Sequence, residues 1–202
     1  MRGYWLNLQE NKMESVSRWP LLQKAFARFG RPVVVVDLET TGGNLYQDRV
    51  TEVALLRFDG QSVCRYEWLV NPCKPIPEFV AQLTGISDEM VRMAPLFAEI
   101  ALQLLLLLRG AVVVAHNSRF DYTFLRHEFR RAGIDFAAPA LCTVQLSRRL
   151  YPEFYKHNLD SIIERNAIAV ENRHRAMTDV LALSDYLEHS LREKNTEDWD
   201  NY

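Results

Sequence analysis

The chain has 202 residues, 48% of them hydrophobic and 25% charged, with a formal net charge of −2. That length suits one compact domain with a substantial core. The near-neutral balance excludes a globally basic surface for nucleic acid, so any basic footprint is local. The three cysteines, Cys64, Cys73 and Cys142, are odd in number and widely spaced, which fits idle thiols in a reducing cytosol rather than a disulfide framework or a zinc site. The N-terminus has no signal-peptide h-region. The most apolar stretch, 100–108, is far shorter than the roughly 20 residues of a membrane span. A cytoplasmic protein without a membrane anchor is expected.

Residues 1–30 read as an N-terminal helical appendage, 31–194 as the main domain and 195–202 as a polar tail. In the appendage Trp19, Leu22, Phe26 and Phe29 recur at helical spacing before Gly30 and Pro32 stop the helix. Val33 to Val36 is a β-branched run suited to a central, doubly covered strand, and Thr40 to Gly43 turns the chain. Val50 to Phe58 predicts a second strand, Asp59-Gly60 a hairpin turn, and Ser62 to Val70 a third strand. A proline-rich loop leads to short helices near 78–83 and 88–93, then a longer one over 95–108 ended by Gly110. Ala111 to Ala115 predicts a buried strand, followed by a helix over 119–132, a short strand over 140–142 and helices over 143–150, 158–166 and 176–191. This order predicts an α/β domain with a mixed sheet and helices on both faces. No repeat or glycine-rich phosphate loop is present in the sequence.

Three short stretches carry the chemistry. Asp37-Leu38-Glu39 follows the valine-rich strand. Residues i and i+2 of a strand share a face, so two carboxylates stand together at the edge where open α/β sheets place ligands. Like charges this close call for a hard divalent cation between them, or belong to a solvated acidic turn. His116-Asn117-Ser118-Arg119-Phe120-Asp121 opens a helix, and Ser118-x-x-Asp121 also matches a capping box. His174 and Asp179 come last. Five helical residues turn through roughly 500°, about 140° net, so the pair converges only if His174 lies on the loop before the helix. A histidine on such a loop suits a general base, or is an ordinary surface residue.

Taken in order, Asp37-Leu38-Glu39-Thr40-Thr41-Gly42, His116-Asn117-x-x-Phe120-Asp121 and His174-x-x-x-x-Asp179 resemble the three motifs of the DEDDh, or DnaQ-like, exonuclease family, which includes the proofreading epsilon subunit of bacterial DNA polymerase III. The stretches 49–54, 83–87 and 157–160 also resemble that family, and the likeness covers roughly residues 31–192. No motif position departs from it. The resemblance implies an RNase H-like fold, with a five-stranded mixed sheet flanked by helices. It implies two Mg²⁺ ions, replaceable by Mn²⁺, roughly 3.5–4 Å apart in a two-metal mechanism. By that likeness Asp37, Glu39 and Asp179 bind the first ion, Asp37 also holds the second, and Asp121 acts through water. His174 takes a proton from the attacking water, and a nucleoside 5′-monophosphate leaves from a 3′ end.

Substrate contacts are expected from Thr40 and Thr41, which donate hydrogen bonds near the terminal nucleotide. Thr84, Gly85 and Ile86 are expected on the last base, and Asn117 and Phe120 along the strand. Core packing is the competing reading for Ile86 and Phe120. Arg126, Arg130 and Arg131, and Arg148, Arg149 and Lys156, are two basic groups that touch phosphates or simply face solvent. The expected activity is a 3′→5′ exonuclease on single-stranded or frayed 3′ ends of DNA, in proofreading or repair, with a polymerase or another replication or repair partner. With the sequence running only a short way past the third motif, no long polymerase-tethering tail is expected. An exoribonuclease is the alternative within the same chemistry. A non-catalytic nucleic-acid module predicts a missing acid or histidine, and none is missing. A structural metal site has no need of His174.

Overall fold

The computed structural model describes residues 18–60, 62–194 and 199. The remainder of the expected appendage, residues 1–17, and nearly all of the polar tail lie outside the described residues. Five strands form one sheet: β1 (Val33–Thr40), β2 (Val50–Asp59), β3 (Ser62–Leu69), β4 (Val112–Ala115) and β5 (Ala140–Cys142), in the order β3-β2-β1-β4-β5. β1 pairs antiparallel with β2, and β2 with β3, as the Asp59-Gly60 turn demands. β4 joins β1 in parallel and β5 joins β4 in parallel, each after a helical crossover. The helices are α1 (Pro20–Ala27), α2 (Glu78–Thr84), α3 (Asp88–Val91), α4 (Phe97–Leu108), α5 (Ser118–Arg131), α6 (Thr143–Leu150), α7 (Leu159–Arg165) and α8 (Ala176–Glu193).

Alternation along β1 decides which layer each side chain enters. Val34, Val36 and Leu38 join a core with α4 and α5, through Leu104, Leu108, Phe124, Leu125 and Phe129. Val33 and Val35 face the opposite layer, built on α1, α6, α7 and α8. Asp37 and Glu39 continue this second row, so they point toward α8. A third, smaller cluster of Ile76, Val80, Ile86 and Val91 closes the segment that carries α2 and α3.

α1 is packed into the α8 layer. Trp19, Leu22 and Phe26 are buried in the same core as Leu56, Phe58, Tyr186 and Leu187. The Trp19 indole donates to Asp185 at 2.7 Å and the Leu22 amide to Glu188 at 2.8 Å. Phe29 falls on the helical spacing but lies beyond the last turn and is exposed.

Candidate active site

β1 and β2 pair in register until Glu39, which opposes Glu52; the next pair is Thr40 with Val50. Thr51 is thereby an extra residue, and this bulge bends the ribbon directly beside Glu39. The parallel pairing of β1 with β4 ends at Val35. Beyond it the Leu38 amide donates to the Asp121 carboxylate. The chain enters α5 through Asn117, a non-glycine residue with φ +66°, and Ser118 is already helical. No side-chain capping bond forms there. The capping-box reading of Ser118 and Asp121 is therefore corrected: Asp121 turns onto the end of β1.

One oxygen each from Asp37, Glu39 and Asp179 lies within 4.8 Å of the others. Asp121 stands outside that trio but beside Asp37, whose carboxyl it pushes up. Asp37 and Glu39 keep part of their surface open to solvent while protein packs densely around them. Burial, then the charges of Asp121, Asp179 and Glu39, hold Asp37 well above its ordinary value. Burial pushes Glu39 up to about 8, and Asp179 and Glu52 add to it. Asp121 is also pushed up to about 8 by burial, against the pull of two backbone N–H groups, its own and that of Leu38. Burial raises Asp179 as well, opposed by Arg173, which donates to its carboxylate.

His174 sits on the loop before α8, half-buried, with φ +61°. It lies near enough to Asp179 to favour that group's ionised form when the imidazole is protonated. The loop placement required for convergence is thus present. Arg173 also bonds Asp160 on α7, at 2.9 Å from Nε and 2.6 Å from Nη2.

The expected substrate contacts divide. The Thr40 hydroxyl donates to Gly42 O at 2.7 Å and that of Thr41 to Asp48 at 2.9 Å, so both already have acceptors within the loop. Thr84 is buried and donates to Val80 O at 3.0 Å, while Gly85 caps α2 in the left-handed conformation. Ile86 has 0% exposure and belongs to the small cluster, so as placed it offers no face to a base. Asn117 is exposed. Phe120 is half-buried, its ring 4.7 Å from that of Phe124. In the basic stripe on α5, Arg131 is tied to Glu128 at 2.9 Å and to the carbonyls of Leu45 and Tyr46, which leaves Arg126 and Arg130 facing solvent.

Sequence reading passed over Glu52, Arg173 and the structural use of His116. Glu52 is a charged residue on a strand face otherwise made of Ala54, Leu56 and Phe58, which is a detectable signal. Arg173 and Asp160 have no such mark, because their pairing exists only in three dimensions.

The exonuclease family model RNase_T matches residues 34–187. The chain belongs to this exonuclease family. DNA polymerase III PolC-type of Caldanaerobacter subterraneus subsp. tengcongensis is 35% identical over 153 residues, 75% of this chain and 11% of the relative. The 3′-5′ exonuclease DinG of Bacillus subtilis is 38% identical over 149 residues, 72% of this chain and 16% of the relative. The chain therefore spans under a fifth of the length of these curated relatives. Among solved structures, exonuclease I superimposes with a TM-score of 0.75 at 21% identity, over 85% of this chain and 43% of that one. The fold is RNase H-like, and all three exonuclease motifs lie inside the matched region.

Proposed function

We propose that this chain is a divalent-metal-dependent 3′→5′ exonuclease that removes nucleoside 5′-monophosphates from DNA. The observation that carries the proposal is the convergence of Asp37, Glu39 and Asp179 within 4.8 Å, with His174 on the adjoining loop. The donor set fits a hard cation: it is all oxygen, and the crowded carboxylates, two half-buried and one buried, repel one another. The cluster already draws the Arg173 guanidinium onto Asp179.

Asp37, Glu39 and Asp179 would hold the cation, Mg²⁺ by default with Mn²⁺ as substitute, and Asp121 would support a second ion beside Asp37. Bound there, the metal supplies Lewis acidity and offsets the charge that develops on the phosphate. His174 accepts the proton of the attacking water as its oxygen bonds to phosphorus. The bond to the 3′ oxygen of the penultimate sugar breaks and that oxygen takes up a proton from solvent, which leaves a new 3′-hydroxyl end and a free 5′-monophosphate. The names of the relatives, a DNA polymerase and a 3′-5′ exonuclease, favour DNA and a replication or repair setting. Exposed Arg126, Arg130 and Asn117 would meet the strand.

The test is digestion of 5′-labelled single-stranded DNA, of duplex DNA with a mismatched 3′ end, and of short RNA, with and without Mg²⁺. Metal-dependent release of mononucleotides from the DNA ends is expected, and Asp37→Ala abolishes it. Activity that survives Asp37→Ala refutes the assignment, and faster digestion of RNA moves the substrate to the ribonucleotide class.

A further inference from the structure

Glu52 is 3% exposed, on β2, in a strand whose other residues facing α8 are Ala54, Leu56 and Phe58. A carboxylate is costly to bury and is retained only when paired and fully hydrogen-bonded. Glu52 is both. Arg175 grips it through Nε, 3.1 Å from each oxygen, and through Nη2 at 2.6 Å. The Ala176 amide donates to its second oxygen at 2.8 Å. Ala176 is the first residue of α8, so the Glu52 carboxylate sits at the positive end of an 18-residue helix.

His174 is the residue before this anchor, with φ +61°. A left-handed backbone is unfavourable for a non-glycine residue, so the surroundings must impose it. Arg173 holds the other side of His174, to Asp160 and Asp179. That second grip ends on one of the acids assigned to the metal, whereas Glu52 lies across the β1–β2 ladder from Glu39. The Glu52 anchor thus refers His174 to the strand pair that carries Asp37 and Glu39.

We propose that Glu52 and Arg175 are positioning residues that hold His174 and the first turn of α8 in catalytic register with the carboxylates on β1. The proposal rests on the reading of His174 as proton acceptor. Neither residue need touch the substrate. Glu52→Gln keeps the shape and an acceptor for the Ala176 amide, while weakening the grip on Arg175. A displacement of His174 by about an ångström corresponds to a loss of roughly 10- to 100-fold in kcat.

The experiment measures kcat and KM on single-stranded DNA for wild type, Glu52→Gln, His174→Ala and the double variant, with Mn²⁺ binding followed by calorimetry. Glu52→Gln is expected to lower kcat roughly 10- to 100-fold, with KM and Mn²⁺ affinity within about 2-fold of wild type. It should also erase the limb of the pH–rate profile that His174→Ala erases. In the His174→Ala background the same substitution should change kcat less than about 2-fold, because the group it positions is gone. An equal loss in both backgrounds, or unchanged turnover in Glu52→Gln, overturns the proposal. Full turnover in His174→Ala instead overturns the role of His174 itself. If Glu52→Gln fails to fold, Arg175→Lys, which keeps the charge but loses the fork, answers the same question by the same criteria.

Discussion

Four carboxylates converge where β1, α5 and α8 meet, and a different local device holds each. Strand alternation faces Asp37 and Glu39 toward α8, the Leu38 amide holds Asp121, and Arg173 holds Asp179. Because these groups repel, Asp37→Asn should raise the unfolding midpoint of the metal-free protein. Mn²⁺ at about 100 times its dissociation constant should stabilise wild type by about 2.7 kcal/mol, and calorimetry should find that gain missing in Asp37→Asn. His116 illustrates the opposite sign of burial. Its Nε2 donates to His157 O at 2.9 Å, and its Nδ1 lies 2.9 Å from the Thr143 hydroxyl oxygen. Burial pushes it down to about 4, below the ordinary value near 6.5. As pH falls the unfolded chain takes up this proton first. The associated stability is complete above about pH 6.5 and is lost toward pH 4, by about 3 kcal/mol. Urea unfolding at pH 7.5 and 4.5 should show wild type losing about 2–3 kcal/mol more than His116→Gln; equal losses would show that the imidazole is not held neutral.

At the scale of elements, the loop between β1 and β2 is drawn together around Asp48. Its carboxylate accepts from the Thr41 hydroxyl at 2.9 Å, the Asn44 amide at 2.8 Å and Lys74 at 3.0 Å. A Cβ on Gly42 would come within 2.5 Å of Asp48 Oδ2. Asp48 is too well anchored to yield freely. Gly42→Ala should therefore cost about 1–3 kcal/mol and raise KM more than it lowers kcat. Thermal unfolding and steady-state kinetics check this, and an unchanged midpoint would mean that the loop adapts. The elements themselves were largely legible. The valine run, the Asp59-Gly60 turn and the glycines after α4 and α5 are local signals, and they mark strands and helices within a few residues of their observed ends. The bulge at Thr51 was not legible, because a register shift is a relation between two strands.

At the scale of the molecule, α1 is integral to the domain. Trp19 is 1% exposed, meets Phe58 with ring centroids 6.0 Å apart, and is tied to α8 through Asp185. Trp19→Ala should cost about 3–5 kcal/mol, as other large core truncations do, in a single cooperative unfolding transition. A change below about 0.5 kcal/mol would instead be the behaviour of a surface residue. The folded fraction should keep its kcat, since α1 lies in the layer beneath the site and supplies none of its side chains.

The sequence alone determined the order of elements and the identity of the five motif residues, because hydrophobic period, turn chemistry and short motifs are properties of neighbouring residues. It also supplied the requirement that His174 lie before α8, since helical angle is local geometry. Only the tertiary structure decided that Asp121 is held by the end of β1 rather than serving in a helix cap, that Ile86 is core, and that Thr40 and Thr41 turn their hydroxyls inward. It alone paired Glu52 with Arg175, 123 residues apart in the chain, and Arg173 with Asp160 and Asp179. Each of these depends on which side chains meet across the sheet, and that is settled by packing and strand register, which no local stretch of sequence contains.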